Sequence, residues 1–290
     1  MNRNKRIIQS LAYSICLTAL MTSIWYGQKM TRAQKTDYEG VRVTEWYPLA
    51  EAADRLEELY KGTVITYEDV MLVWSGDMQL NAKGNHYLPK RRSFIMPIDE
   101  TLKQSPVMDS QLLCKVIDAY NSQTDGARFQ MTESRWGMHI VPAQVRDEDG
   151  EYVNANSILD TYITVTVARR TPEEHFRAIC EAVTIANDAG IILKPNVSWL
   201  NQYYASKEMR LHKMLTDIDK ERISFTWGIR EVQQAREAII DLLEGSSSTM
   251  TWRLLCEPDK SCVFNLLSPT RIIVDSYGQT RRKRLSHDRY

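Results

Sequence analysis

Residues 41–67 have the sequence VRVTEWYPLAEAADRLEELYKGTVITY, and this stretch decides the fold. At its start, valine alternates with polar residues, which is typical of a strand. Pro48 then precedes leucine and alanine residues spaced three and four apart, a pattern that predicts an amphipathic helix. The run Val64-Ile-Thr-Tyr67 follows as a second short strand. The stretch therefore predicts one strand–helix–strand unit.

The same unit recurs along the chain. Three further helices are predicted to start near residues 106, 172 and 231, each beside strand-like runs. The third helix has the clearest start, because Thr171 and Glu174 have the spacing of a capping box. The unit thus recurs about every 60 residues. We predict an α+β fold of repeated βαβ-type units with two domains, residues 40–146 and 150–268, each packing two helices on small sheets.

Two stretches interrupt this pattern. Residues 70–92 contain glycine and proline with few periodic apolar positions, which predicts an exposed loop. Residues 207–221 are highly charged, yet their apolar residues share one helical face. An additional amphipathic helix and a mobile linker both fit that second stretch.

The N-terminus has the layout of an export signal. Residues 1–33 carry five basic residues and no acidic one, with an apolar run in the middle. Small residues follow at Thr31 and Ala33, where a signal peptidase would cleave. We therefore expect a signal peptide over residues 1–33 and a periplasmic mature protein. The alternative is an uncleaved anchor, in which residues 7–26 hold the chain in the inner membrane.

The charges are unevenly distributed although the whole chain of 290 residues is formally neutral, with 37 Lys+Arg and 37 Asp+Glu. Residues 34–270 carry 26 basic and 35 acidic groups, whereas residues 271–290 carry six basic and two acidic ones. An acidic body disfavours nucleic acid as the main partner. We expect residues 271–290 to be a disordered basic tail. Within this tail, a possible contact with an anionic surface is assigned to Arg281, Arg282, Lys283 and Arg284.

Four cysteines follow the predicted signal peptide. Cys256 and Cys262 flank a turn-forming stretch between two apolar runs, so a hairpin would bring them together. A disulfide and two free thiols are both compatible with this spacing, and an exported protein can keep disulfides. Cys114 and Cys180 fall on the apolar sides of predicted helices, where a buried thiol acts as a small hydrophobic group.

Two stretches resemble a known family, the secretin and TonB N-terminal short domain. One is Pro48–Tyr60 with the following Val64–Asp69, and the other is Gln234–Leu243 with Thr251–Leu255. In that family a strand precedes an Ala/Leu-rich helix, and the strand after it opens with an aromatic residue. The resemblance implies a periplasmic module that contacts other envelope proteins and has no chemistry of its own. An exposed strand edge would then be extended by a strand of the partner.

The residues that carry chemistry are scattered. The sequence contains no zincin, nucleophile-elbow, Walker or dinucleotide-binding motif. We therefore expect no catalytic residue, metal or cofactor, and envelope proteins of unspecified identity as partners. The alternative is an envelope hydrolase whose acids or histidines meet only in three dimensions, with Glu68, Glu133 and His139 as the candidates.

Overall fold

The computed structural model describes residues 40–60, 62–97, 108–196, 221, 223–245 and 250–267, and the backbone of residues 270–274 and 280–284. The predicted signal peptide, the predicted anchor and most of residues 207–221 lie outside these ranges. The described residues form four α-helices: α1 (Pro48–Leu59), α2 (Ser110–Gln123), α3 (Pro172–Ala186) and α4 (Ala235–Gly245). Together with the strands between them, they confirm the predicted α+β class.

The strands fall into two sets along the chain. The first set comprises β1 (Gly40–Glu45), β2 (Ile65–Glu68), β3 (Met78–Leu80), β4 (Tyr87–Pro89), β5 (Arg92–Pro97), β6 (Arg128–Glu133), β7 (Met138–Arg146) and β8 (Tyr152–Asn154). The second set comprises β9 (Tyr162–Arg170), β10 (Ile192–Asn196), β11 (Phe225–Gln234), β12 (Thr251–Glu257) and β13 (Ser261–Leu267). A hairpin of β14 (Thr270–Val274) and β15 (Thr280–Arg284) follows.

Both halves of the chain have the same connectivity. In the first half, β1 pairs antiparallel with β5, while β7 pairs parallel with β2 and antiparallel with β6. In the second half, β9 pairs antiparallel with β11, while β13 pairs parallel with β10 and antiparallel with β12. Each half is therefore strand–helix–strand followed by strand–helix–hairpin. The four recurrences in the sequence correspond to two copies of this larger unit.

A single sheet joins the two halves. Strand β12 of the second half pairs in parallel with β2 of the first, so that Arg253 lies opposite Tyr67. The result is a seven-stranded sheet with the order β10-β13-β12-β2-β7-β6 and β8 attached to β7. The expected boundary near residues 146–150 does not separate two independent sheets, and Glu39–Tyr290 forms one compact unit. The sequence pattern of β12 and β2 does not specify that they pair with each other.

The helix starts follow the local sequence. Thr171 and Glu174 form both hydrogen bonds of the predicted capping box at the start of α3. Helix α2 begins at Ser110, where the Asp109 side chain accepts from the Gln111 amide; residue 106, its predicted start, lies outside the described ranges. Helix α4 begins at Ala235, not near residue 231, because β11 continues to Gln234.

Aromatic and aliphatic side chains fill the core of the second half. Phe176 from α3 packs against Phe264 from β13, with ring centroids 5.0 Å apart, and both are fully buried. Trp252 from β12 stacks on Phe264 and is also fully buried. Cys180 is buried in this core as a free thiol, as its position on the apolar side of α3 predicted.

Two stretches are more ordered than the sequence predicted. Residues 70–92 contain the β3–β4 hairpin, and Asp77 beside it is fully buried with its carboxylate 2.7 Å from Arg92. The predicted disordered tail contains β14 and β15, which pair as an antiparallel hairpin. The run Arg281–Arg284 therefore lies in a strand. The backbone of β14 lies against α1.

Candidate functional site

The structure separates the three residues proposed for hydrolysis. Glu68 ends β2 and is fully buried, and His139 on β7 is 1% exposed. Glu133 is exposed at the end of β6, opposite Met138. A glycosidase needs two carboxylates facing one substrate across a cleft. A buried and an exposed carboxylate do not meet this requirement.

Glu68 instead takes part in a charge network between the two halves. Its two carboxylate oxygens accept from Nη2 and Nε of Arg236 on α4, at 2.7 and 2.8 Å. The indole of Trp252 donates to the same carboxylate at 3.3 Å. Arg236 also contacts Asp160 at 2.8 Å, and these acidic partners raise the pKa of its guanidinium, although burial opposes the shift. The carboxylate thus has strong donors on both oxygens and binds the halves together.

His139 lies next to this network in a polar environment. Its Nδ1 is 2.8 Å from the Thr66 hydroxyl, its Nε2 is 2.6 Å from the Ser134 hydroxyl, and its ring stacks on Trp252. Burial lowers the pKa of His139 to about 4, although the nearby Glu68 opposes the shift. A hydroxyl–imidazole contact of this length is also found in serine hydrolases, where a carboxylate holds the other ring nitrogen. Here the hydroxyl of Thr66 occupies that place.

Because His139 is buried in its neutral form, the free energy of unfolding depends on pH. An unfolded histidine titrates near 6.5, so the unfolded chain binds more protons than the folded chain between about pH 6.5 and 4. We expect the wild-type chain to lose roughly 2–3 kcal/mol relative to the His139→Gln variant as the pH falls through this window. Denaturant unfolding of both proteins at several pH values measures the difference.

In the comparison with His139→Gln, the contributions of the other titrating groups to the pH dependence of stability cancel. Burial raises the pKa of Asp69 to about 6, so its contribution has the opposite sign: stability is lost as the pH rises from about 4 to 6. Asp69 is present in both proteins and contributes equally to each. A constant difference between wild type and variant from pH 7 to 4 would contradict the prediction.

The disulfide lies at the end of β12 next to Asp69. Cys256 and Cys262 face each other in the β12–β13 pair and are bonded, which is one of the two states that the sequence left open. The Asp69 carboxylate accepts from the Cys256 amide at 3.2 Å and from the Tyr67 hydroxyl at 3.1 Å. The Tyr47 hydroxyl donates to the Cys256 carbonyl at 3.3 Å. Residues of the first half thus hold the bridged end of β12.

An open groove lies on the second half, away from these buried networks. Helix α3 and strand β9 form its walls, Val232 of β11 also lines it, and its volume is about 480 Å³. Three of its apolar side chains are well exposed: Tyr162 by 62%, Val232 by 65% and Ile185 by 78%. Ala178, Ala182 and Ala186 line the helical wall, so small side chains leave the groove wide. Sequence reasoning missed this surface, although the alanines recur every four residues on α3.

The described residues provide no metal site and no membrane-spanning helix. No group of three or more histidine, cysteine or acidic side chains in these ranges has the arrangement of a metal site. None of the helices in the same ranges is both long and apolar enough to cross a bilayer. We call the groove between α3 and β9 the α3–β9 groove.

Comparisons with protein-family models, with curated proteins and with solved structures each found no match to this chain.

Proposed function

We propose that this chain is an exported cell-envelope protein that acts as a non-enzymatic interaction or assembly module. The observation that carries the proposal is the exposed apolar surface of Tyr162, Ile185 and Val232 around the α3–β9 groove. Apolar side chains clustered on a surface favour contact with another protein over exposure to water. Two buried carboxylates, in contrast, are paired with arginines across the two halves: Glu68 with Arg236 and Glu57 with Arg253.

Two further features support export to the envelope. Residues 1–33 have the basic, apolar and small-residue segments of a signal peptide. The disulfide between Cys256 and Cys262 is of a kind that persists in oxidising compartments and is rare in a reducing cytosol. The resemblance to the secretin and TonB N-terminal short domain also supports a periplasmic interaction module.

The hydrolase alternative has less support. Glu68 is engaged by Arg236 and Trp252, and His139 is held between two hydroxyls in the interior. Neither side chain lines the α3–β9 groove. A substrate in that groove would not reach either group.

Cross-linking in the native envelope tests the proposal. A tagged full chain, cross-linked in intact cells and purified under denaturing conditions, should recover a specific envelope protein. The same chain without residues 1–33 is the control, because it would remain in the cytosol and should not recover that protein. The proposal fails if the full chain recovers no specific partner, or if the control recovers the same one.

The basic strand β15 gives a second, independent contact. We propose that the run Arg281–Arg284 binds anionic lipid head groups, because clustered positive charges attract such surfaces at low ionic strength. Deleting residues 280–290 should abolish binding to anionic liposomes at low salt in a flotation assay. Deleting only residues 285–290 keeps the basic run and should preserve most of the binding. Equal binding by both deletions would exclude this contact.

A further inference from the structure

The outer edge of β9 faces away from its partner strand. The Ala235 amide donates to the Thr161 carbonyl at 2.9 Å. The backbone amide and carbonyl groups of Thr161, and of Ile163 and Val165 after it, therefore point towards β11. Those of Tyr162 and Thr164 consequently point to the opposite edge. Further along β9, after Val165, the Thr166 carbonyl accepts from the Arg170 side chain at 2.9 Å. No strand of the described chain pairs with this edge.

The α3–β9 groove follows this edge. Residues 162–166 all line it, one after another. Because side chains alternate between the two faces of a strand, a groove that contacts five consecutive residues contacts the backbone edge itself. Five residues of strand extend over about 17 Å. The groove therefore offers a row of backbone donors and acceptors on one wall and a shallow, alanine-lined helical wall opposite.

Two other outer edges of the fold, those of β10 and β6, are closed to strand addition. On β10, Ile192 donates towards β13, so Leu193 and Pro195 face outwards. The Leu193 amide donates to the Thr184 hydroxyl at 2.9 Å, and Pro195 has no amide hydrogen. On β6, the Asn121 side chain forms hydrogen bonds with both the amide and the carbonyl of Phe129. Proteins protect edge strands in such ways against unwanted pairing.

Strand β9 lacks this protection only at the start of the groove. From Tyr162 to Val165 it contains no proline, no lysine and no inserted residue, whereas a bulge follows Val165 and the Arg170 side chain covers the Thr166 carbonyl. In the first half, moreover, strand β14 lies against α1, the helix that corresponds to α3. The equivalent helix in one half thus already has an extended segment beside it.

We propose that the α3–β9 groove binds an extended segment of a partner polypeptide, which adds to the edge of β9 as a new strand. Alternate apolar side chains of this segment would contact Tyr162 and Ile185, while its backbone pairs with Tyr162 and Thr164. Arg169 and Arg170 at the end of β9 favour an acidic residue at the corresponding end of the segment. This inference rests on the proposed function and specifies its partner as an extended, apolar peptide segment.

Panning of a displayed library of random twelve-residue peptides on the full chain, purified with its disulfide intact, tests the inference. The enriched peptides should share an alternation of apolar residues. Thr164→Pro removes an outward amide without removing a hydrogen bond to β11, and Ile185→Asp places a charge in the groove. Each variant should weaken binding of an enriched peptide at least tenfold in fluorescence anisotropy. Ile192→Asp, which changes another exposed isoleucine on β10, should leave the affinity unchanged.

The outcomes separate this inference from the proposed function. No enriched peptide, or enriched peptides that bind the wild-type chain and both groove variants equally, would overturn the groove assignment. If envelope cross-linking still recovered a specific partner with both groove variants, the interaction role would stand and this groove would not carry it. Circular dichroism of each variant establishes that the fold is retained, and because Thr164→Pro and Ile185→Asp alter different walls, one folded variant is sufficient for the test.

Discussion

Replacing Arg236 by methionine is expected to lower the free energy of unfolding by about 3–5 kcal/mol. The substitution keeps much of the side-chain volume but removes the cation that faces Glu68, a carboxylate with no solvent exposure. Trp252 would remain as a donor at 3.3 Å, which is too little to compensate a buried negative charge. The cost is large because the unpaired charge cannot reach water.

Guanidinium unfolding followed by tryptophan fluorescence measures this change. Arg177→Met is the matched control, because Arg177 forms a comparable pair with Glu173 on the exposed surface of α3, where such pairs contribute less than about 1 kcal/mol. The double variant Glu68→Gln/Arg236→Met should recover most of the lost stability, since it removes both charges. An effect of Arg236→Met no larger than that of Arg177→Met would contradict the prediction.

The helices and strands could be predicted because their signals are local. Pro48 specifies the start of α1 through its fixed backbone angle, and Thr171 and Glu174 specify the start of α3 through side-chain hydrogen bonds to each other's amides. The alternation in β9 likewise indicates a strand with two different faces, and Ile163 and Val165 are buried, whereas Val167, which follows a shift of register, is exposed. Such features depend on residues a few positions apart. They can be recognised in the sequence without knowledge of the tertiary contacts.

The joining of the halves and the candidate site depend on contacts that no local pattern contains. Glu68 and Arg236 are 168 residues apart, and an acidic residue at the end of a short strand gives no sign of a distant buried cation. Predicting the groove requires knowing that β9 lies at an edge and that α3 lies beside that edge. The outward-facing Pro195 is a signal for an edge strand that the sequence does offer, since proline is confined to such positions.

Replacing Phe176 by alanine is expected to destabilise both halves of the chain together, by about 3–5 kcal/mol. Phe176 is fully buried against Phe264, and the substitution leaves a cavity in the core of the second half. If the halves were separate domains, only the second would lose stability. Because the halves share a sheet, we expect both to lose stability. Strand β2 of the first half pairs with β12 of the second half on one side and with β7 on the other.

Several contacts besides the sheet transmit this loss to the first half. Arg253 on β12 is buried with Asp54 and Glu57 of α1, and it donates to the Ile65 carbonyl. Arg135 contacts three acidic residues of α4, and the Trp136 indole donates to the Met250 carbonyl. Unfolding of the second half would therefore leave Glu57 buried without its cation and one edge of β2 without a partner.

Hydrogen exchange measured by mass spectrometry distinguishes the two cases. In the Phe176→Ala variant, amides of β7 should lose as much protection as amides of β13, and denaturant unfolding should remain a single transition. Phe94→Ala, a buried phenylalanine of the first half, should give the reciprocal result. Unchanged protection of β7 in the first variant would mean that the halves unfold independently. A single cooperative unit, by contrast, would hold the β9 edge rigid for a partner strand, because α3, β9 and the shared sheet enclose the same core.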